Sequence, residues 1–206
     1  MLHYETISPS TLELLKSIQS IPALQDTYLV GGTSLALQMG HRKSIDLDIF
    51  GSIQTPVSEI RQVLAVEHTV QVLKESRNIN ICLVDGVKVD FVNYSYSLLK
   101  PMVVQDNLRL ASVEDIAAMK ISAVIGRGTK KDFIDLYFLL KSYSLKDILD
   151  FYSAKYPDGT LFIALKSLTY FEDAEPDPMP EMLETANWPQ VKETISSAVR
   201  DYLSRR

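Results

Sequence analysis

Residues 45–50 read IDLDIF, an alternation of apolar and acidic side chains. On a strand, successive side chains point to opposite faces, so Asp46 and Asp48 share one face and Ile45, Leu47 and Ile49 the other. Two carboxylates roughly 7 Å apart on one face repel each other. A divalent cation between them removes that repulsion, and hard oxygen donors of this kind suit magnesium, which also binds phosphate. Taken alone, such a pair is more often the polar face of an exposed edge strand. Residues 87–92, VKVDFV, add a third acid: Val87, Val89 and Phe91 face one way, Lys88 and Asp90 the other. If the two strands are neighbours, Asp90 joins the pair, and three carboxylates can hold two metal ions roughly 4 Å apart. The chemistry expected of such a site is transfer at phosphorus. One ion lowers the pKa of an acceptor hydroxyl, and the other binds a triphosphate and its leaving pyrophosphate.

A phosphate-binding element precedes the acidic pair. Gly31-Gly32-Thr33-Ser34 lies between a strand pattern and a helix pattern. Glycine lets the backbone approach phosphate closely, and the N–H groups at a helix start attract anionic oxygen. Thr33 or Ser34 can add a hydroxyl. A glycine pair by itself is more often only a turn, but this one comes one helix and one loop before Asp46, so both can reach the same end of a small sheet. In that loop, Arg42 either binds phosphate or anchors the loop to an aspartate, and His41 contacts substrate or fixes the loop. Lys120 is the only charge between Ile116 and Gly126, on an otherwise apolar helix stripe. It either extends to water along its aliphatic stem or enters a cleft and neutralises a triphosphate. Asp132 and Asp135 share a helix face. They pair with Arg127 or Lys120, or contact the nucleotide, with Asp132 preferred because it lies nearer the helix start. His3 and His68 stand without partners suited to a metal.

These residues need elements to hold them. Ser8 followed by Pro9 predicts a helix start, with Leu12, Leu15 and Ile18 as its apolar stripe. Strands are expected at 27–30, 45–50, 70–73, 79–84 and 87–92, the last two joined by the hairpin pair Asp85-Gly86. Short helices are expected at 33–39 and after Thr55-Pro56, the latter with Ile60, Val63 and Leu64 inward. From Ser112, which resembles a capping residue for Asp115, the pattern is helical. It includes 129–141 and a last amphipathic helix carrying Val191, Ile195, Ala198, Val199 and Tyr202, with Trp188 as its anchor. The acidic, proline-rich stretch 172–180 is expected to be a loop or lid. The fold class expected is α/β (α+β): a small mixed sheet flanked by helices in residues 1–100, then a helical part in 101–206 that packs on it.

Composition sets limits on partners. The 206 residues are 46% hydrophobic and 23% charged, as in ordinary globular proteins. The formal net charge of -5 argues against broad, nonspecific nucleic-acid binding. The basic clusters at 41–43 and around Arg127, Lys130 and Lys131 are solvated surface on the plainest reading. Cys82 is the only cysteine, which excludes an intrachain disulfide and a cysteine-based zinc site. No apolar run is long enough to span a bilayer and no secretory signal opens the chain, so a cytoplasmic setting without a membrane partner is expected.

The glycine turn, the DxD pair and the later acid together resemble the motif set of the nucleotidyltransferase superfamily that includes polymerase-beta-like enzymes. Residues 29–50, LVGGTSLALQMGHRKSIDLDIF, more specifically resemble the AbiEii-type nucleotidyltransferase toxins of bacterial toxin–antitoxin and phage-defence systems. Residues 120–123, Arg127 and 131–136 are similar to that family's helical signature. The resemblance covers most of residues 27–140, and the C-terminal third carries no matched motif. It implies a nucleotidyltransferase fold and transfer of a nucleoside monophosphate from a nucleoside triphosphate to an acceptor. It implies Asp46, Asp48 and Asp90 as metal and catalytic residues on two magnesium ions, and Lys120 as a catalytic cation. Gly31, Gly32, Thr33, Ser34, Arg42, Lys120 and Asp132 would bind nucleotide. It also implies RNA, such as the 3′ end of tRNA, as acceptor, and a cognate antitoxin as partner. Three alternatives remain open on sequence: transfer to a small molecule or protein hydroxyl, a noncatalytic nucleotide-binding module, and a metal-dependent nuclease.

Overall fold

The computed structural model describes residues 1–204, which form two compact units: residues 1–96 with 101–111, and residues 97–100 with 112 onward. In the first unit, Ser8 Oγ accepts the Thr11 N–H at 3.0 Å and Pro9 takes the first helical position, so α1 runs Pro9–Ser20. It is followed by β1 (Thr27–Val30), α2 (Gly31–Met39), β2 (Leu47–Gly51), α3 (Val57–Leu64), β3 (Val70–Glu75), β4 (Ile79–Val84), β5 (Val87–Asn93), β6 (Val103–Gln105) and β7 (Leu108–Leu110). The strands form one seven-stranded sheet in the order β3-β4-β5-β2-β1-β7-β6. The pairs β2–β5 and β1–β7 are parallel and the others antiparallel, which makes the sheet mixed. Asp85 (φ 50°) and Gly86 (φ 82°) turn β4 into β5, the two left-handed residues that a tight hairpin needs.

Alternation decides which faces are buried. In β2, Leu47, Ile49 and Gly51 are buried, while Asp48 and Phe50 are half-buried. In β5, Val89 and Phe91 are buried, and Lys88, Asp90 and Val92 are half-buried. The apolar face packs with Leu14, Leu15 and Ile18 of α1 and with Ile60 and Leu64 of α3 into one core. Several expectations differ in detail. The second strand starts at Leu47, not at 45, and Ile45 is 72% exposed. The helix after β1 begins at Gly31 itself. Val63 faces outward at 54% exposure, because Ile60 and Leu64 already fill the stripe of a two-turn helix. The hairpin of β6 and β7 was not expected. Its turn is Asp106-Asn107, both at positive φ without a glycine, and its three-residue strands are too short to show a period.

The second unit contains α4 (Val113–Gly126), α5 (Lys130–Leu139), α6 (Leu145–Lys155), α7 (Leu161–Ser167) and α8 (Trp188–Ser204). Ser112 Oγ accepts the Asp115 N–H at 3.0 Å and so caps α4 as expected. Ser144 and Asp147 form a reciprocal capping box for α6. The acidic stretch after α7 holds only a short 3-10 turn, Glu172–Ala174, and is pinned by its own groups. Glu175 Oε2 accepts the Trp188 indole N–H at 2.9 Å, and Asp177 Oδ2 accepts the Lys130 N–H at 3.0 Å. Phe171 and Trp188 pack on Phe133, with ring centroids 4.9 and 6.0 Å from it. No helix among the described residues is long and apolar enough to cross a membrane.

Candidate active site

The parallel pairing of β2 with β5 sets Asp48 level with Asp90. On the other side of β2, the antiparallel register sets Asp48 opposite Val30. Val30 is the last residue of β1, so the chain turns into α2 directly beside Asp48. Gly31 makes that turn at φ +70°, and a Cβ built on it would lie 2.0 Å from Asp48 Oδ2. Only glycine satisfies both conditions. Val30, the N-cap residue of α2, makes no side-chain capping bond, and the N–H groups of a helix start attract anions. The glycine turn, Asp48 and Asp90 therefore meet on three adjacent strands.

The other predicted residues of this unit are placed as follows. Asp46 lies one residue before β2, on the approach loop, and is half-buried. Thr33 and Ser34 are buried, with their hydroxyls turned inward. Thr33 Oγ1 donates to the Asp46 carbonyl and lies 2.8 Å from Ser44 Oγ, while Ser34 Oγ accepts from Gln38 Nε2 at 3.3 Å. Thr33 thus fixes the backbone at Asp46. His41 and Arg42 are buried, which overturns the reading of that basic cluster as solvated surface. Arg42 Nη1 donates to the Lys43 carbonyl at 2.8 Å, so the guanidinium braces its own loop. Lys88, which sequence reasoning placed only on the same face as Asp90, contacts Asp90 Oδ1 at 2.6 Å. The i, i+2 spacing on one strand was the available signal.

Asp48 and Asp90 offer hard carboxylate oxygens side by side, and the missing Cβ of Gly31 lets the Asp48 carboxylate sit against the glycine turn. These features fit a divalent cation with phosphate. Among the described residues, no group of three His, Cys, Asp or Glu is arranged to hold a metal ion. Asp46 lies one residue outside β2, so strand register pairs Asp48 with Asp90 but says nothing of the Asp46 side chain.

The second unit has a polar centre of its own. Lys120 is buried, and its Nζ contacts Asp132 Oδ1 at 2.9 Å and Asp135 Oδ2 at 2.6 Å. Arg127 Nε donates to Asp132 Oδ2 at 2.8 Å, Arg127 Nη2 to Oδ1 at 3.0 Å, and Thr129 Oγ1 to Oδ2 at 2.7 Å. Burial alone would raise the Asp132 carboxyl. The Lys120 and Arg127 charges, with the Arg127 and Thr129 hydrogen bonds, more than reverse this and hold it far below the ordinary carboxylate range. Lys120 does not extend to water; it joins α4 to α5. Lys130 is also buried, with its Nζ bonded to the Glu175 carbonyl at 3.0 Å and set 5.2 Å from the Trp188 ring centroid. A third buried cation was not anticipated. Lys155 Nζ meets Asp115 Oδ1 at 2.7 Å, and Asp115 also accepts from the Leu99 and Lys100 N–H groups. Burial of a lone Lys or Asp gives no sequence signal until the partner is known.

Similarity to known proteins agrees with this architecture. A family model described as the nucleotidyl transferase AbiEii toxin, type IV toxin–antitoxin system, matches residues 13–78 and 78–205. An uncharacterized protein of Aquifex aeolicus (strain VF5) is 35% identical over 198 residues, covering 93% of this chain and 95% of its own. Among solved structures, the chain is similar to JHP933 from Helicobacter pylori (TM-score 0.58, 17% identity, 97% of this chain and 94% of that one). It is also similar to MenT4, a nucleotidyltransferase toxin from Mycobacterium tuberculosis H37Rv (TM-score 0.56, 15% identity, 90% and 82%). The antibiotic-resistance factor ANT(2'')-Ia follows at TM-score 0.52 and 14% identity, covering 76% of this chain and 96% of that one. At these identities the structural likeness speaks for the fold, a nucleotidyltransferase-like mixed α/β sheet with helices.

Proposed function

The chain belongs to the AbiEii nucleotidyl transferase toxin family, and from that membership we propose that this nucleotidyltransferase moves a nucleoside monophosphate from a nucleoside triphosphate onto RNA. The acceptor in this reading is the 3′ end of an RNA such as tRNA, the setting is the cytoplasm, and a cognate antitoxin controls the toxin during phage defence. The observation that carries the reading is the contact of the Gly31 turn with the Asp48 carboxylate, itself level with Asp90. Gly31 and Gly32 bind phosphate oxygens through the N–H groups at the start of α2. Asp48 and Asp90, with Asp46 at the rim, would hold magnesium. When bound, magnesium neutralises phosphate charge and lowers the pKa of the acceptor hydroxyl. Thr33, through the Asp46 carbonyl, keeps the approach loop in place. Catalysis is then mainly positioning and charge neutralisation.

The test incubates purified protein with total RNA, magnesium and each α-labelled nucleoside triphosphate. Label enters RNA with the wild-type chain and falls by at least about 10²-fold in Asp48→Ala. Label appearing only in a small molecule or in protein would overturn RNA as the acceptor. Equal transfer by Asp48→Ala would overturn the assignment of the site.

A further inference from the structure

Three residues far apart in sequence meet in the first unit at a place unrelated to the carboxylate pair. Ser17 Oγ on α1 lies 3.1 Å from His68 Nε2, and His68 Nδ1 lies 2.7 Å from Asp85 Oδ2 in the β4–β5 hairpin turn. Both distances are those of a nucleophile bonded to its base and a base bonded to its orienting carboxylate. Asp85 is itself held in place: its Oδ1 accepts the Thr69 N–H at 2.8 Å. Those two bonds, the one from His68 first, keep the Asp85 carboxyl below its ordinary range and so ionised at neutral pH. A neutral imidazole that donates its Nδ1 proton to Asp85 would turn the lone pair of Nε2 toward the Ser17 hydroxyl. The three side chains line a cavity of about 400 Å³ together with Glu13, Leu14 and Glu67. A small molecule can therefore reach the hydroxyl.

We propose that Ser17, His68 and Asp85 form a second nucleophilic site, which hydrolyses small carboxylic esters. Ser17 Oγ attacks the acyl carbon while its proton passes to His68 Nε2. The bond from acyl carbon to ester oxygen breaks, and the departing alcohol takes that proton. Water then attacks the acyl-serine, gives one proton to His68, and the acid leaves as the proton returns to Ser17 Oγ. The surroundings restrict the substrate. Ser17 lies inside α1, where its own N–H belongs to the helix ladder and offers the oxyanion no donor. The substrate is therefore an ester with a good leaving group and not an amide. Glu13 and Glu67 on the cavity wall favour an uncharged or cationic ester over an anionic one.

The test treats the full chain with an uncharged fluorophosphonate and with 4-nitrophenyl acetate, and locates adducts by peptide mass spectrometry. A single phosphonyl adduct forms on Ser17, is absent in Ser17→Ala, and forms about 10²-fold more slowly or worse in His68→Gln. Hydrolysis of 4-nitrophenyl acetate falls in parallel. Circular dichroism and the RNA-labelling reaction report that each variant is folded. No Ser17 adduct in folded wild-type protein would overturn the proposal and make the trio a clasp between α1 and the hairpin. An adduct formed equally fast in His68→Gln would overturn it as well.

Discussion

Gly31 and Asp48 constrain each other at the level of single atoms. The glycine has a left-handed backbone, and its Cβ position is taken by the Asp48 carboxylate. Gly31→Ala therefore meets two obstacles, about 1–2 kcal/mol for the backbone and a displaced carboxylate besides. Nucleotidyl transfer should fall by roughly 10²-fold or more, because shifts of about 1 Å have that effect. Gly86→Ala, at a positive φ but with open space around its Cβ, should cost stability alone and leave transfer per folded molecule unchanged. Measuring transfer alongside denaturant midpoints separates the two. Asp132 makes a pH prediction. Its folded-state pKa is depressed, so it contributes stability that is present above the unfolded value of about 3.9 and is lost as pH falls below it. The gap in denaturant midpoint between wild type and Asp132→Asn should be constant above about pH 5 and shrink below pH 4. A gap that widens on acidification would contradict the depressed pKa.

The elements show where sequence patterns suffice. β1 and β4 match their expected limits because alternation and flanking turns mark short strands clearly. The caps at Ser8 and Ser112 were legible because a serine at a helix start has one local partner, the N–H three residues on. Asp48 beside Asp90 was legible only conditionally, since two strands separated by α3, β3 and β4 need not be neighbours. The ion pair of Lys155 with Asp115 lay beyond reach, because its members are 40 residues apart on α6 and α4. Its loss leaves a buried carboxylate without its cation, so Lys155→Met should destabilise by about 3 kcal/mol. Adding Asp115→Asn to that variant should recover part of the loss, as read from urea denaturation. If Lys155→Met is neutral, the pair contributes nothing to stability.

At the scale of the whole molecule, charge governs how RNA is met. The net charge is -5, and burial removes Arg42 and Lys130 from the basic clusters that the sequence displays. Nonspecific RNA binding should be weak and only mildly salt-dependent, with a log–log slope shallower than about −2 between 50 and 200 mM salt. A slope steeper than about −4 in fluorescence anisotropy would reveal a basic track that net charge conceals.

The sequence by itself determined the composition of each element and its buried face, because alternation, caps and turn residues act over a few positions along the chain. It also held enough spacing in residues 29–50 to indicate the family. Tertiary structure alone decided which acids meet. Strand register set Asp48 level with Asp90, with Asp46 one residue outside β2, and chain reversal brought Ser17, His68 and Asp85 together. The physical reason is that contact between distant residues depends on strand order and packing, which no local pattern encodes.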